Sequence, residues 1–108
     1  MKITEYHAHL YYKEEQLEEA QKLTEKIKDK FGFEVGKLHQ RPVGPHLEWS
    51  CAVSVPPEKF GEVIPWLSFN RGTIDFFIHP VTGNDLLDHT ERVMWLGRSY
   101  PLNLRLWA

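Results

Sequence analysis

The sequence predicts an α+β sandwich with a βαββαβ order, and three observations carry that prediction. An alternating strand, Thr4 to Tyr12, is followed at once by a helix-period segment. Two further alternating stretches, around Val53 and Phe76, are bounded by proline and glycine turns. The aromatic residues are spread along a chain of 108 residues that is 42% hydrophobic, enough for one core. The expectation is therefore one domain, residues 1–108.

The first strand presents Tyr6, Ala8, Leu10 and Tyr12 to one face and Glu5, His7, His9 and Tyr11 to the other, because successive strand side chains alternate. Lys13 to Phe31 follows as an amphipathic helix, with Leu17, Ala20, Leu23, Thr24, Ile27 and Phe31 on its apolar stripe. Its Glu and Lys residues form a solvated face with i,i+4 pairing. Gly32 ends it, as glycine does in the left-handed position after a helix. Phe33 to Arg41 alternates as a second strand whose core face is ambiguous. Pro42-Val43-Gly44-Pro45 is a turn. In the third strand, His46 to Val55, Leu47, Trp49, Cys51, Val53 and Val55 face the core, and His46, Glu48, Ser50, Ala52 and Ser54 face away.

Pro56-Pro57 stops that strand and suits a helix start. Glu58 to Asn70 is helical, with a kink or a break into two short helices expected at Pro65, which lacks a donor and crowds the Gly61 carbonyl. Arg71-Gly72 turns the chain into a fourth strand, Thr73 to Pro80, with Asp75, Phe77 and His79 on one face. Asn84 is the expected cap of a last helix, Asp85 to about Leu96, ended by Gly97. On that helix His89 shares a stripe with Leu86, Val93 and Leu96. The tail Leu102 to Trp107 alternates like a short strand that would pair with a sheet edge or a partner chain.

This order specifies a ferredoxin-like split βαβ sandwich with an antiparallel sheet of order 4-1-3-2, counting predicted strands along the chain. The first strand is central. The two helices cover one face of the sheet, and the other is open, a face often closed by a second subunit in a dimeric α/β barrel.

Composition excludes several classes. A net charge of −2 provides no basic field for nucleic acid or a membrane surface. The single cysteine, Cys51, forms no intramolecular disulfide and fits a reducing compartment. No apolar run resembles a signal peptide or a membrane span, so a cytoplasmic location is expected.

The open face is where the chemistry gathers. His7 and His9 lie there on the central strand, His79 on one neighbour, and His46 and Glu48 on the other. His39 joins them if its face is that of Phe33. Neutral imidazoles bind zinc, iron, copper and nickel. Two histidines and a carboxylate make the facial triad of non-haem Fe(II) oxygenases, and three histidines with an open position suit catalytic zinc. The alternative is structural: polar side chains on a wet sheet face, a strand-ending His79, solvated His39 and His46, and a buried, hydrogen-bonded His89. Trp49, Trp66 and Trp95 read as core, and Cys51 as an inert core thiol.

Three segments carry a resemblance: Tyr6-His7-Ala8-His9-Leu10-Tyr11-Tyr12, Trp66-Leu67-Ser68-Phe69-Asn70-Arg71-Gly72, and the run from His79-Pro80-Val81-Thr82-Gly83-Asn84 through Asp88-His89-Thr90 to Trp95-Leu96-Gly97. The chain resembles the DOPA 4,5-dioxygenase family of small fungal and bacterial type. The resemblance implies a homodimer, a divalent metal expected to be Fe(II), with zinc as an alternative occupant of the isolated protein, and extradiol cleavage of a DOPA-like catechol by O2. By position the family's histidines match His7, His9, His79 and His89. The implied metal ligands are His7, His9 and His79, with Glu48 as the best-placed carboxylate. His89 is a further ligand or the acid/base, and His9 either binds metal or moves a proton. Asn70, Arg71 and His46 are the implied substrate-binding residues. Two other functions fit the scaffold: a cofactor-free monooxygenase or isomerase of dimeric-barrel type, and a non-catalytic dimer binding a small aromatic molecule or a metal.

Overall fold

A computed structural model describes residues 2–108. Its sheet has four antiparallel strands in the order β2-β1-β3-β4. Strand β1 (Glu5–Tyr12) lies between β2 (Trp49–Val55) and β3 (Asp75–Val81), as expected of the first strand. In register, His7 stands opposite His79 and Ser54, and His9 opposite Phe77 and Ala52. Helices α1 (Leu17–Phe31) and α2 (Phe60–Asn70) cover one face. Ala8, Leu10, Cys51, Val53, Val55, Phe76 and Ile78 pack there against Ala20, Leu23, Ile27, Val63 and Leu67. Gly32 adopts φ 71° and donates its N–H to Lys28 O, the left-handed helix ending that its sequence position predicts.

Four local expectations are corrected. The predicted second strand makes one bridge, Val35 to Val53, and otherwise runs irregularly along β2. Its hydrogen bonds explain why: Gly36 N donates to Ala52 O, but the next, from His39 N, reaches Ser50 O. Three steps on this segment oppose two on β2, so one extra residue bulges and the facing side chains switch sides. Phe33, Val35 and Leu38 therefore all pack toward the core.

Helix α2 continues through Pro65 as one element, so the break into two short helices does not occur. Pro65 and Gly61 both lie on its exposed side, where the carbonyl that proline leaves unpaired is accessible to solvent.

The predicted last helix stops early. Helix α3 spans only Asp85–Asp88, capped by the Asn84 side chain, and Met94–Leu96 forms strand β4 against β3. Asp88 causes the stop. It is buried, accepts bonds from Thr82 N and Oγ1 at 2.8 Å each, and pairs with Arg92 Nη1 at 3.0 Å. It is thus an inward tether between the turn at Thr82 and Arg92. Burial alone would raise its pKa, but these bonds hold the carboxyl below the usual range.

The tail is a 3-10 turn, Leu104–Trp107, not a strand, apart from one bridge between Leu102 and His46. Consequently the face expected to be open is largely covered by the chain itself. Tyr100 and Leu102 lie over Tyr11, Trp95 and Phe77, and Asn103 N donates to Pro45 O. His9, Tyr11, Phe77 and His79 are all buried. No helix among the described residues is long and apolar enough to cross a membrane.

Candidate metal centre

Strand alternation and antiparallel register put His7, His9 and His79 on one face of neighbouring strands. One ligating atom from each lies within 4.8 Å of the others. His9 Nε2 and His79 Nε2 are 3.1 Å apart. Two imidazole nitrogens bound to one ion at about 2.0–2.1 Å stand about 3.0–3.4 Å apart, so this pair already has the spacing of adjacent ligands. The ring centroids of His7, His9 and His79 form a triangle with sides of 5.1, 5.3 and 5.7 Å.

The protonation pattern suits ligation. His79 Nδ1 lies 2.8 Å from Pro80 O. A carbonyl only accepts, so Nδ1 carries the hydrogen and Nε2 the lone pair. His89 repeats the device, with Nδ1 donating to the Asp85 backbone carbonyl at 2.7 Å. Burial, reinforced by neighbouring histidines, pushes His9 well below the ordinary imidazole value. Burial also pushes His46 and His79 down to about 4. All three are therefore neutral at pH 7, the form that binds a divalent cation.

His46 reaches this face by a route that strand alternation did not foresee. It sits in the Val43–His46 turn before β2, with Gly44 at φ 57°. Its ring packs 4.3 Å from that of His9, and its Nδ1 shares a 2.7 Å hydrogen bond with Tyr11 Oη. Burial raises the Tyr11 pKa, so the phenol stays protonated. A cleft of about 270 Å³ opens beside them, lined by His9, Lys37, His39, His46, Ser50 and Ala52. His39 reaches it through the bulge. On the other side His89 lies 4.0 Å from the His79 ring and 4.8 Å from the Trp107 indole. A second cleft there, of about 200 Å³, is walled by Phe77, Trp95, Tyr100 and Leu102.

Three residues picked from sequence are not brought to the cluster. Glu48 precedes β2 and pairs with Lys13. Asn70 Nδ2 donates to Trp66 O, closing the end of α2. Arg71 Nη1 donates to Ile74 O at 2.9 Å and reaches Asp75 Oδ1 at 3.4 Å, beyond Tyr11 from the histidines. Among the described residues, the carboxylate that hydrogen-bonds to the cluster is Glu5, 2.5 Å from His7 Nε2. Its place on the histidine face was legible from alternation. Trp95, read as core, instead lines the histidine face opposite Phe77, because it lies on a strand. Trp107 carried no signal, since its contact depends on the tail's fold.

The fold and the site define a small α+β protein whose sheet carries a cluster of two buried histidines and one part-buried histidine able to hold a metal ion. Residues 6–106 match the model of the Dopa 4,5-dioxygenase family, and the chain belongs to that family. It is 33% identical over 111 residues to a DOPA 4,5-dioxygenase of Amanita muscaria, an alignment covering 94% of this chain and 49% of that protein. It is 36% identical over 110 residues to an uncharacterized 21.2 kDa protein of Botryotinia fuckeliana, covering 91% of this chain and 60% of that one. The chain thus spans about half the length of the curated relatives it matches. A crystal structure of a candidate dioxygenase from Nostoc punctiforme superposes with a TM-score of 0.93 at 33% identity, covering 96% of this chain and 90% of that one.

Proposed function

We propose that this protein is a metal-dependent extradiol dioxygenase that opens a DOPA-like catechol with O2, using a divalent ion, expected to be Fe(II). The observation that carries this reading is the convergence of three ligating atoms from His7, His9 and His79 within 4.8 Å. Their donor chemistry fits such an ion: the imidazoles of His9 and His79 are neutral, and a backbone carbonyl orients that of His79. The bound metal would supply the electron transfer between catechol and dioxygen that cleavage of the ring bond beside the diol requires.

The chain's own residues supply position and proton transfer. His89, its Nδ1–H tethered to Asp85 O, offers an Nε2 lone pair as the base for a catechol hydroxyl. His46, paired with Tyr11, offers a second proton-handling group at the edge of the cleft next to His9. With three ligands on β1 and β3, His9 serves as a ligand and His89 as the acid/base. Phe77, Trp95 and Tyr100 wall the opposite side with aromatic rings. A homodimer belongs to the proposal; the exposed apolar side chains of Leu104 and Leu106 support it, and sedimentation measures it.

The test is oxygen uptake by Fe(II)-loaded protein with DOPA and simpler catechols, with absorbance following the ring-opened product. Uptake matched to product, absent without metal, is expected. No uptake with any catechol by iron-loaded protein overturns the assignment for those substrates.

A further inference from the structure

Among the described residues, Glu5 is the carboxylate in hydrogen-bond contact with the three-histidine cluster, its Oε2 lying 2.5 Å from His7 Nε2. Neither side chain is fully exposed, at 38% and 31% respectively. An ionised carboxylate only accepts hydrogen bonds, so the hydrogen of a neutral His7 sits on Nε2. The lone pair then sits on Nδ1. His79 is set the opposite way, since Pro80 O takes its Nδ1–H and leaves Nε2 free.

We propose that Glu5 is the positioning residue of the metal centre: it fixes the His7 tautomer and makes Nδ1, not Nε2, the ligand atom of His7. Glu5 and His7 stand two apart on β1, so the strand pleat itself aims both at the same face. The pair gives two of the three histidines an orienting partner. His79 is held by a main-chain carbonyl and His7 by a carboxylate, and a carboxylate partner also makes the ring a better donor to a cation. The inference rests on the metal-centre reading above, and its test separates the two.

The probe is Zn²⁺ alone, titrated into chelator-stripped protein against a competing chromophoric chelator. Histidine-ring ¹⁵N shifts of the zinc-loaded wild type identify the nitrogen that binds. His7 bound through Nδ1 with its Nε2–H retained, and His79 bound through Nε2, are expected. His7 bound through Nε2, or Glu5 itself bound to zinc, overturns the proposal. Glu5→Ala should weaken zinc binding roughly 10–100-fold, the usual cost of removing a ligand's orienting partner, and Glu5→Gln should weaken it less because its amide oxygen still accepts. Wild-type affinity in Glu5→Ala overturns the proposal while leaving the metal centre standing. Absence of zinc binding by wild type defeats the metal centre as well. Should Glu5→Ala fail to fold, the wild-type ¹⁵N measurement decides.

Discussion

The Nε2 atoms of His9, in the middle of β1, and His79, on β3, stand 3.1 Å apart across a sequence separation of 70 residues. Without a cation between them they share one hydrogen bond; with one, both present lone pairs at the spacing of adjacent ligands. His9→Ala or His79→Ala should therefore lower Zn²⁺ or Fe(II) affinity by more than the roughly 10–100-fold that losing an orienting partner costs. His7→Ala should lose metal without unfolding. Glu48→Gln should leave affinity unchanged, since Glu48 pairs with Lys13 away from the cluster. Chelator competition measures all four, and a metal-binding loss in Glu48→Gln would put that carboxylate back in the ligand set.

The Tyr11–His46 pair is buried on both sides. Tyr11→Phe keeps the ring but leaves His46 Nδ1 without its partner, which should cost about 1–3 kcal/mol of stability. Urea unfolding measures that cost. Catechol turnover should fall with it, because His46 is no longer oriented at the cleft.

Acid should destabilise the metal-free protein. His46 and His79 titrate at about 4 when folded and near the ordinary 6.5 when unfolded, and His9 is depressed in the same direction. Between those values the unfolded chain binds more protons, so unfolding free energy rises with pH. The contribution is fully present above about pH 6.5 and is lost as pH falls toward 4. Thermal melts of chelated protein across this window should show a falling midpoint, and His46→Gln should flatten the slope.

Asp75 holds the C-terminal segment over the histidine face. It accepts from Tyr100 Oη at 2.5 Å and Arg98 N at 3.0 Å, and meets Arg71 Nη1 at 3.4 Å. Burial and this carboxylate push the Tyr100 phenol up to about 12. Asp75→Ala should cost about 1.5–3 kcal/mol, the range for hydrogen bonds to a charged group. Amide exchange should accelerate across residues 98–107 while β1 and β3 stay protected. Unchanged exchange there would mean that apolar contacts of Leu102 and Trp107 suffice.

The sequence by itself determined the central strand and the three histidines on it and its neighbour. Strand alternation is local and has a period of two, so His7, His9 and His79 had to share a face once β1 and β3 paired. The amphipathic stripe of α1 and its Gly32 ending were legible for the same local reason. Tertiary structure decided the rest. The bulge at residues 36–39 depends on hydrogen bonds to β2, and it is what sends His39 to the cleft and Leu38 to the core. The short α3 and strand β4 depend on Asp88 being drawn inward by Thr82, a bond that helical spacing does not encode. Covering of the histidine face depends on long-range ties from Asp75 and Pro45 to the tail. Glu5, not Glu48, stands beside the cluster because β1 is regular there, whereas the chain before β2 turns Glu48 toward Lys13. A short period along the backbone reveals which side chains share a face; which of them meet is settled by contacts between distant segments.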